Sequence, residues 1–237
     1  MLRFFGRGSA FHMHNNCAYF VRGDSLVLLD CPMSAFHRLR HEGADNLTGT
    51  KTAKIKILVT HTHADHISGI GMLIHYCYYV WKIPVEVVAP SDEVRQDLKY
   101  LIDRLDGCSP EGYRLVSAQD EGFDTAEAFP IATKHAEQLD GRCFGWVLDI
   151  SGTRVVYTGD TNTLEPFMPY LTEGAYLYTE ISAYENEVHL GIDKLEQAMD
   201  ELNRKHIKVR LMHSDNEEII TQTAQRLGVQ LAELYRR

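Results

Sequence analysis

Between positions 60 and 66 the chain runs Thr60-His61-Thr62-His63-Ala64-Asp65-His66, placing three imidazoles and one carboxylate within six residues. Imidazole nitrogens and carboxylate oxygens are the donors that zinc takes, and that iron or manganese takes when oxygen ligands are added. In an extended or turning loop alternate residues point the same way. His61 and His63 can therefore converge on one ion while Asp65 and His66 face a second position nearby. A lone histidine would pass as a surface residue, but four donors at this spacing describe a metal site.

Something must hold that loop. The apolar run Ile55-Lys56-Ile57-Leu58-Val59 before it reads as a buried strand ending at Thr60, and the amphipathic segment from Ile67 reads as the helix that follows. The motif is thus expected in a strand-to-helix loop. Further donors should stand at the ends of other strands, because loops there vary while the sheet holds them in register. His135 closes the run from Phe129, Asp160 follows the run from Arg154, and His213 follows the run from Ile207. Each has a bland alternative as well: a capping histidine, or a Thr158-Gly159-Asp160-Thr161 turn with the acid as a helix N-cap.

The rest of the chain divides similarly. Strands are predicted near 2–6, 17–22, 25–30 and 55–60, leading to a helix near 67–81. A second set of strands, near 85–89, 113–117, 129–135, 144–150, 153–159, 175–180 and 207–212, alternates with helices near 91–105, 192–204 and 216–227. Ile67, Ile70, Ile74 and Cys77 share one helix face, as do Leu195, Ala198, Met199 and Leu202. Two sheets face to face with helices outside would bury all these runs.

The motif HxHxDH, matched at His61, His63, Asp65 and His66, resembles the signature of the metallo-β-lactamase superfamily, and the resemblance spans nearly the whole chain. It implies an α/β fold, the αββα four-layer sandwich of two mixed β-sheets flanked by helices. It implies two divalent metal ions, zinc by default with manganese or iron as alternatives. On this analogy His61, His63 and His135 hold one ion, Asp65, His66 and His213 hold the other, and Asp160 bridges them. Asp160 stands where common β-lactamases use a cysteine, and His63 stands where flavodiiron-type members carry glutamate, so both branches are disfavoured. The opening Phe4-Phe5-Gly6-Arg7-Gly8-Ser9-Ala10, followed by Asn15-Asn16-Cys17-Ala18-Tyr19, is similar to the ribonuclease Z and phosphodiesterase branch. So is the stretch from Tyr178-Thr179-Glu180-Ile181 to Val188-His189-Leu190-Gly191, although Thr179 replaces the histidine usual before that glutamate. By this resemblance His189 protonates the leaving oxygen and Glu180 orients its imidazole. The alternative for His189 is a cap on the helix starting near Ile192.

The activity implied is hydrolysis of a small phosphodiester or nucleotide-type substrate by a hydroxide held between the two ions, with Asp65 fixing the hydroxide and His189 as general acid. A metal-dependent lactone or ester hydrolase shares the same ligands and is the alternative. A non-catalytic protein that binds a ligand through a retained metal site is a third reading.

Composition narrows the partners. With 237 residues, 44% hydrophobic and 24% charged, the chain suits a single globular domain over 1–237. No apolar run approaches a membrane span and the first residues lack a signal-peptide core, so a cytoplasmic protein is expected. Five cysteines, Cys17, Cys31, Cys77, Cys108 and Cys143, form no CxxC pair and are expected as buried thiols. A net charge of −9 argues against broad RNA binding. The Gly- and Pro-rich basic arm of tRNA-processing ribonuclease Z enzymes has no counterpart between His66 and His213, which argues against a tRNA substrate. Tyr76, Tyr78, Tyr79 and Trp81 are expected in the core, a substrate cleft or a homodimer surface being the alternatives. His12 and His14 read as loop residues, and Tyr184-Glu185-Asn186-Glu187 as a solvated acidic loop.

Overall fold

The computed structural model describes residues 1–120 and 128–235, and its chain falls into two units. Of the described residues, the first comprises 1–6, 13–120 and 233–235, and the second 7–12 and 128–232.

In the first unit six strands lie in chain order: β1 (Arg3–Gly6), β2 (Cys17–Arg22), β3 (Ser25–Leu29), β4 (Lys54–Leu58), β5 (Val85–Ala89) and β6 (Tyr113–Ser117). The first two pairings are antiparallel and the last three parallel. Every residue of β5 is buried, as expected of a parallel strand covered on both faces. One of those residues is Glu86. Its register partner Lys56 reaches Oε1 at 2.9 Å, and Arg114 approaches Oε2 at 3.3 Å. Burial opposes ionisation of Glu86, but these cations outweigh it and lower its pKa.

Helices α1 (Met33–Glu42) and α2 (Ala44–Thr48) lie between β3 and β4, where no helix was predicted. The helix predicted near 67–81 is instead broken into α3 (Ala64–Ile67), α4 (Ile70–Tyr76) and a wider turn, Cys77–Trp81, that closes at Lys82 with φ of 57°. The break falls at Ser68 and Gly69, where the backbone packs so closely that a Cβ on Gly69 would stand 2.5 Å from the carbonyl oxygen of Pro32. The aromatic expectation is corrected as well. Tyr79 is 62% exposed and Tyr76, Tyr78 and Trp81 are only half-buried, whereas Ile70, Ile74 and Cys77 are buried. The helix predicted near 91–105 likewise starts as α5 (Asp92–Lys99), with Ser91 Oγ accepting from Val94 N at 3.3 Å, and widens over Tyr100–Leu105.

The second unit repeats the pattern with β7 (Ala128–Ala132), β8 (Phe144–Ile150), β9 (Thr153–Tyr157), β10 (Tyr176–Ile181), β11 (Lys208–Ser214) and β12 (Gln230–Leu231) in chain order. Again two antiparallel pairings precede three parallel ones. Helices α6 (Ile192–Arg204) and α7 (Glu217–Leu227) cover it through Leu195, Met199, Leu202, Ile220 and Ala224, which join Val156, Leu177 and Leu211 in one apolar core. Helix α7 is well delimited: Asn216 Oδ1 accepts from Ile219 N at 3.1 Å, Glu217 and Glu218 occupy the first turn, and Gly228 ends it at φ of 67°. All five cysteines are buried thiols. Among the described residues no helix is long and apolar enough to cross a membrane.

Candidate functional site

Strand β4 ends at Leu58, so Val59 to His63 form the connection and α3 begins at Ala64. This corrects the picture of a motif lying wholly in a loop. His63, extended at φ −64° and ψ 147°, takes the N-cap position, and Asp65 and His66 sit on the helical turn behind it. A carboxylate in a first turn is favoured by the amide dipoles there.

The four donors are tied together by a residue the sequence reading passed over. Asp30 follows β3 with φ of 63°, a left-handed conformation that aspartate tolerates better than most residues. It is fully buried, and its carboxylate accepts from Thr60 N at 2.7 Å, Thr60 Oγ1 at 2.8 Å and His66 Nδ1 at 2.8 Å. The Thr60 hydroxyl spends its proton on Asp30 and so accepts from His61 Nδ1, 3.0 Å away. One carboxylate thereby fixes the tautomer of two imidazoles and leaves Nε2 of His61 and His66 as the donor atoms. His61 Nε2 lies 3.0 Å from His63 Nδ1, and His66 Nε2 lies 3.3 Å from Asp65 Oδ2. The signal was present: Asp30 closes an apolar run, just as Asp160 does.

In the second unit the predicted strand-end residues come together. His135, three residues beyond β7, donates from Nδ1 to the Val188 carbonyl at 2.7 Å, so its Nε2 is free of the proton and stands 3.7 Å from Asp160 Oδ2. His213 Nε2 stands 3.4 Å from the same oxygen. Its placement depends on a bulge. Glu180 pairs with Met212 and Ile181 with Ser214, so His213 is the extra residue, at φ of 47°. Bulges re-aim a side chain in this way, and the kinked backbone is the local strain that places the imidazole. Asp160 precedes no helix, and the N-cap of α6 is Gly191 without a side-chain bond, so neither structural alternative for Asp160 or His189 describes what they do.

His189 donates instead from Nδ1 to Glu180 Oε2 at 2.6 Å, and Glu180 Oε1 accepts the Thr161 backbone N–H. Burial opposes charge on His189, but the hydrogen bond and charge of Glu180, with smaller help from Asp160 and Asp215, raise its pKa to about 9. Glu180 is pushed up to about 7 by burial and then by the charge of Asp160, against the lowering effect of His189 and His213. Two buried carboxylates this close are a combination that a cation relieves. His135, Asp160, Glu180 and His189 each bring a ligand-type atom within 4.8 Å of the others. The donor set therefore fits a divalent metal: imidazoles with the proton anchored on the far nitrogen, beside buried carboxylates.

Fold and donor chemistry together define a metal-dependent hydrolase of the metallo-β-lactamase fold. Two solved structures share that fold: the metallo-β-lactamase fold protein YhfI from Bacillus subtilis (TM-score 0.74, 16% identity, covering 99% of this chain and 95% of that one) and a diphosphatase of the PhnP family (TM-score 0.72, 18% identity, covering 99% and 95%). The chain belongs to the family described as Anti-Pycsar protein Apyc1, whose model matches residues 1–232. It is 30% identical to the Anti-Pycsar protein Apyc1 of Bacillus phage vB_BsuM-Goe3, over 92% of this chain and 91% of the relative. The namesake protein of Bacillus phage 010DV004 is 29% identical over 90% and 88%. The chain is also 31% identical to the human zinc phosphodiesterase ELAC protein 2, over 68% of this chain but only 23% of that larger protein, which agrees with the ribonuclease Z branch.

Proposed function

We propose that the chain is a binuclear metal-dependent phosphodiesterase acting on a small phosphodiester or nucleotide-type substrate. Its proposed metal donors are His61, His63, Asp65, His66, His135, Asp160 and His213. Two divalent ions, zinc by preference on this donor set, would supply Lewis acidity and an activated water.

The observation that carries the phosphodiesterase reading is the 2.6 Å bond from His189 Nδ1 to Glu180. It fixes the imidazole with Nε2–H outward, and the side chain keeps 27% exposure, so the proton is deliverable to a leaving oxygen. Expulsion of an alkoxide from phosphorus needs that proton. Thr161 N–H holds the other oxygen of Glu180, so the acid and its partner share one fixed frame. Asp65 keeps a carboxylate beside His66 and orients the attacking water. The phosphodiesterase name of the ELAC relatives supports this reading, and the net charge of −9 supports a small substrate over tRNA.

The test is turnover by zinc- or manganese-loaded protein of bis(4-nitrophenyl) phosphate, a 3′,5′-cyclic mononucleotide, a simple lactone and nitrocefin, with Asp65→Asn and His189→Ala alongside. Phosphodiester turnover, nearly abolished in Asp65→Asn, is expected. Activity of Asp65→Asn with metal content intact would refute the Asp65 assignment. Turnover of the lactone alone, indifferent to His189→Ala, would replace the reading with the lactone or ester hydrolase.

A further inference from the structure

His189 does not belong to a regular element. It lies in the segment from Ser182 to Gly191, whose neck is closed by a bridge between those two residues and a bond from Ser182 N to the Leu190 carbonyl at 2.8 Å. Sequence patterning makes this an acidic, solvated loop, and Tyr184, Glu185 and Glu187 are exposed accordingly. Asn186 is not one of them in behaviour. Its Oδ1 accepts from His189 N at 2.6 Å and from Val188 N at 3.0 Å. Its Nδ2 donates to the Tyr184 carbonyl at 2.8 Å and to Ser182 Oγ at 3.0 Å. Both lone pairs and both protons of the amide are committed to the loop that surrounds it.

That hub is anchored at both ends. Asp215, two residues past the bulge at His213, accepts from Ser182 Oγ at 2.6 Å and from Ala183 N at 2.8 Å. The Val188 peptide, whose N–H is held by Asn186, presents its carbonyl to His135 Nδ1. The backbone of His189 is thus fixed by one side-chain oxygen, and its ring by Glu180.

We propose that Asn186 is the positioning residue for the general acid: it holds the His189 main chain so that the imidazole meets both Glu180 and the leaving oxygen. This rests on the reading of His189 as the acid given above. A proton donor is effective only when placed to within fractions of an ångström, so freeing the His189 backbone should cost catalysis; because Asn186 also holds the Val188 peptide that orients His135, metal content is the control that separates the two effects.

The experiment compares wild type, Asn186→Ala, Asn186→Asp and His189→Ala on two esters of thymidine 5′-phosphate, one with 4-nitrophenol and one with phenol as the leaving group. Melting temperature and metal content are measured on each protein. The nitrophenolate departs without help, whereas phenolate needs the acid. Asn186→Ala is expected to lose about 10- to 100-fold in kcat on the phenyl ester, a part of what a positioned acid supplies, with little change on the nitrophenyl ester or in KM. Asn186→Asp keeps the oxygen that accepts from both N–H groups but loses the two protons given to the Tyr184 carbonyl and Ser182 Oγ, and is expected to recover part of the loss. If His189→Ala is selective for the phenyl ester and Asn186→Ala is not, the positioning role is overturned while the acid assignment stands. If His189→Ala itself shows no selectivity, the acid assignment falls and the positioning role falls with it.

Discussion

Glu180→Gln removes the charge from the His189 pair while keeping its volume. The one amide oxygen can accept from only one of the two N–H groups that Glu180 now serves, and the substitution removes the negative charge that now outweighs burial at His189, so both changes loosen the proton. The imidazole stands at about 9 against an ordinary 6.5, a difference of about 3 kcal/mol between protonation states. The side chain is 27% exposed, so solvent screens only part of this. A group at about 9 is nearly all protonated at pH ~7.5, whereas one at or below 6.5 is at most ~10% protonated there. Glu180→Gln should therefore cut the acid form at neutral pH about tenfold. In profiles of kcat/KM against pH on the phenyl ester, the descending alkaline limb should move down by one to two units, an order-of-magnitude expectation from the same shift. Bound cations lower the imidazole's affinity for protons in both proteins, so the displacement between the two profiles is the quantity to read. On the nitrophenyl ester the limb should not follow. An alkaline limb at the same pH in wild type and variant would refute the argument that Glu180 holds the proton on His189.

Asp30→Asn should lower metal affinity by about 10- to 100-fold, read by competition with a chelating dye: an amide N–H facing His66 Nδ1 favours the tautomer with the proton on Nε2, the donor atom. Gly69→Ala should cost about 1–3 kcal/mol, seen as a lower melting temperature, because the new Cβ meets the backbone oxygens of Pro32 and Cys31 at 2.5 and 2.9 Å. Metal retention should weaken too, since Cys31 N holds the His66 carbonyl. The metal-free protein should lose stability as pH rises. Both Glu180 and His189 bind protons more tightly when folded; their contributions are complete below about 4.5 and 6.5 and are lost as pH passes about 7 and 9. A melting temperature that climbs between pH 6 and 9 would contradict this, and His189→Ala should flatten the slope.

What the sequence shows of this molecule depends on whether a feature has a period. His61, His63, Asp65 and His66 form a contiguous string, and His135, Asp160 and His213 each follow a β-rich run, so strand-end logic finds them without coordinates. The same logic covers Asp30 after Leu26-Val27-Leu28-Leu29, and there the string motif drew attention away from it. Helix α1 is harder: only Phe36 and Leu39 are large and buried on it, too thin a stripe among histidines and arginines to show a 3.6-residue repeat. The wide turn at Cys77–Trp81 keeps helical composition, which is why the aromatic run looked like core. Asn186 has no signal at all. An amide that spends its hydrogen bonds on a nearby irregular loop leaves no pattern, and its acidic neighbours describe only the outer surface of that loop.

Both sheets add their strands in the order of the chain, and this bears on how the protein is made. A ribosome delivers residues from the amino end, so each strand after the first in a sheet emerges with its partner already present. Exposed edges, the usual starting points for aggregation, are therefore short-lived during synthesis. Bonds made by the first residues depart from this order: Arg7 and Ser9 bond to Ser214 of β11, and Phe4 to the last residues described. Phe4 N donates to the Glu233 carbonyl, and Tyr235 N donates to the Phe4 carbonyl at 2.8 Å. Strand β1 thus waits through nearly the whole of translation for its outer neighbour, and the first unit is sealed by residues made after the second is complete.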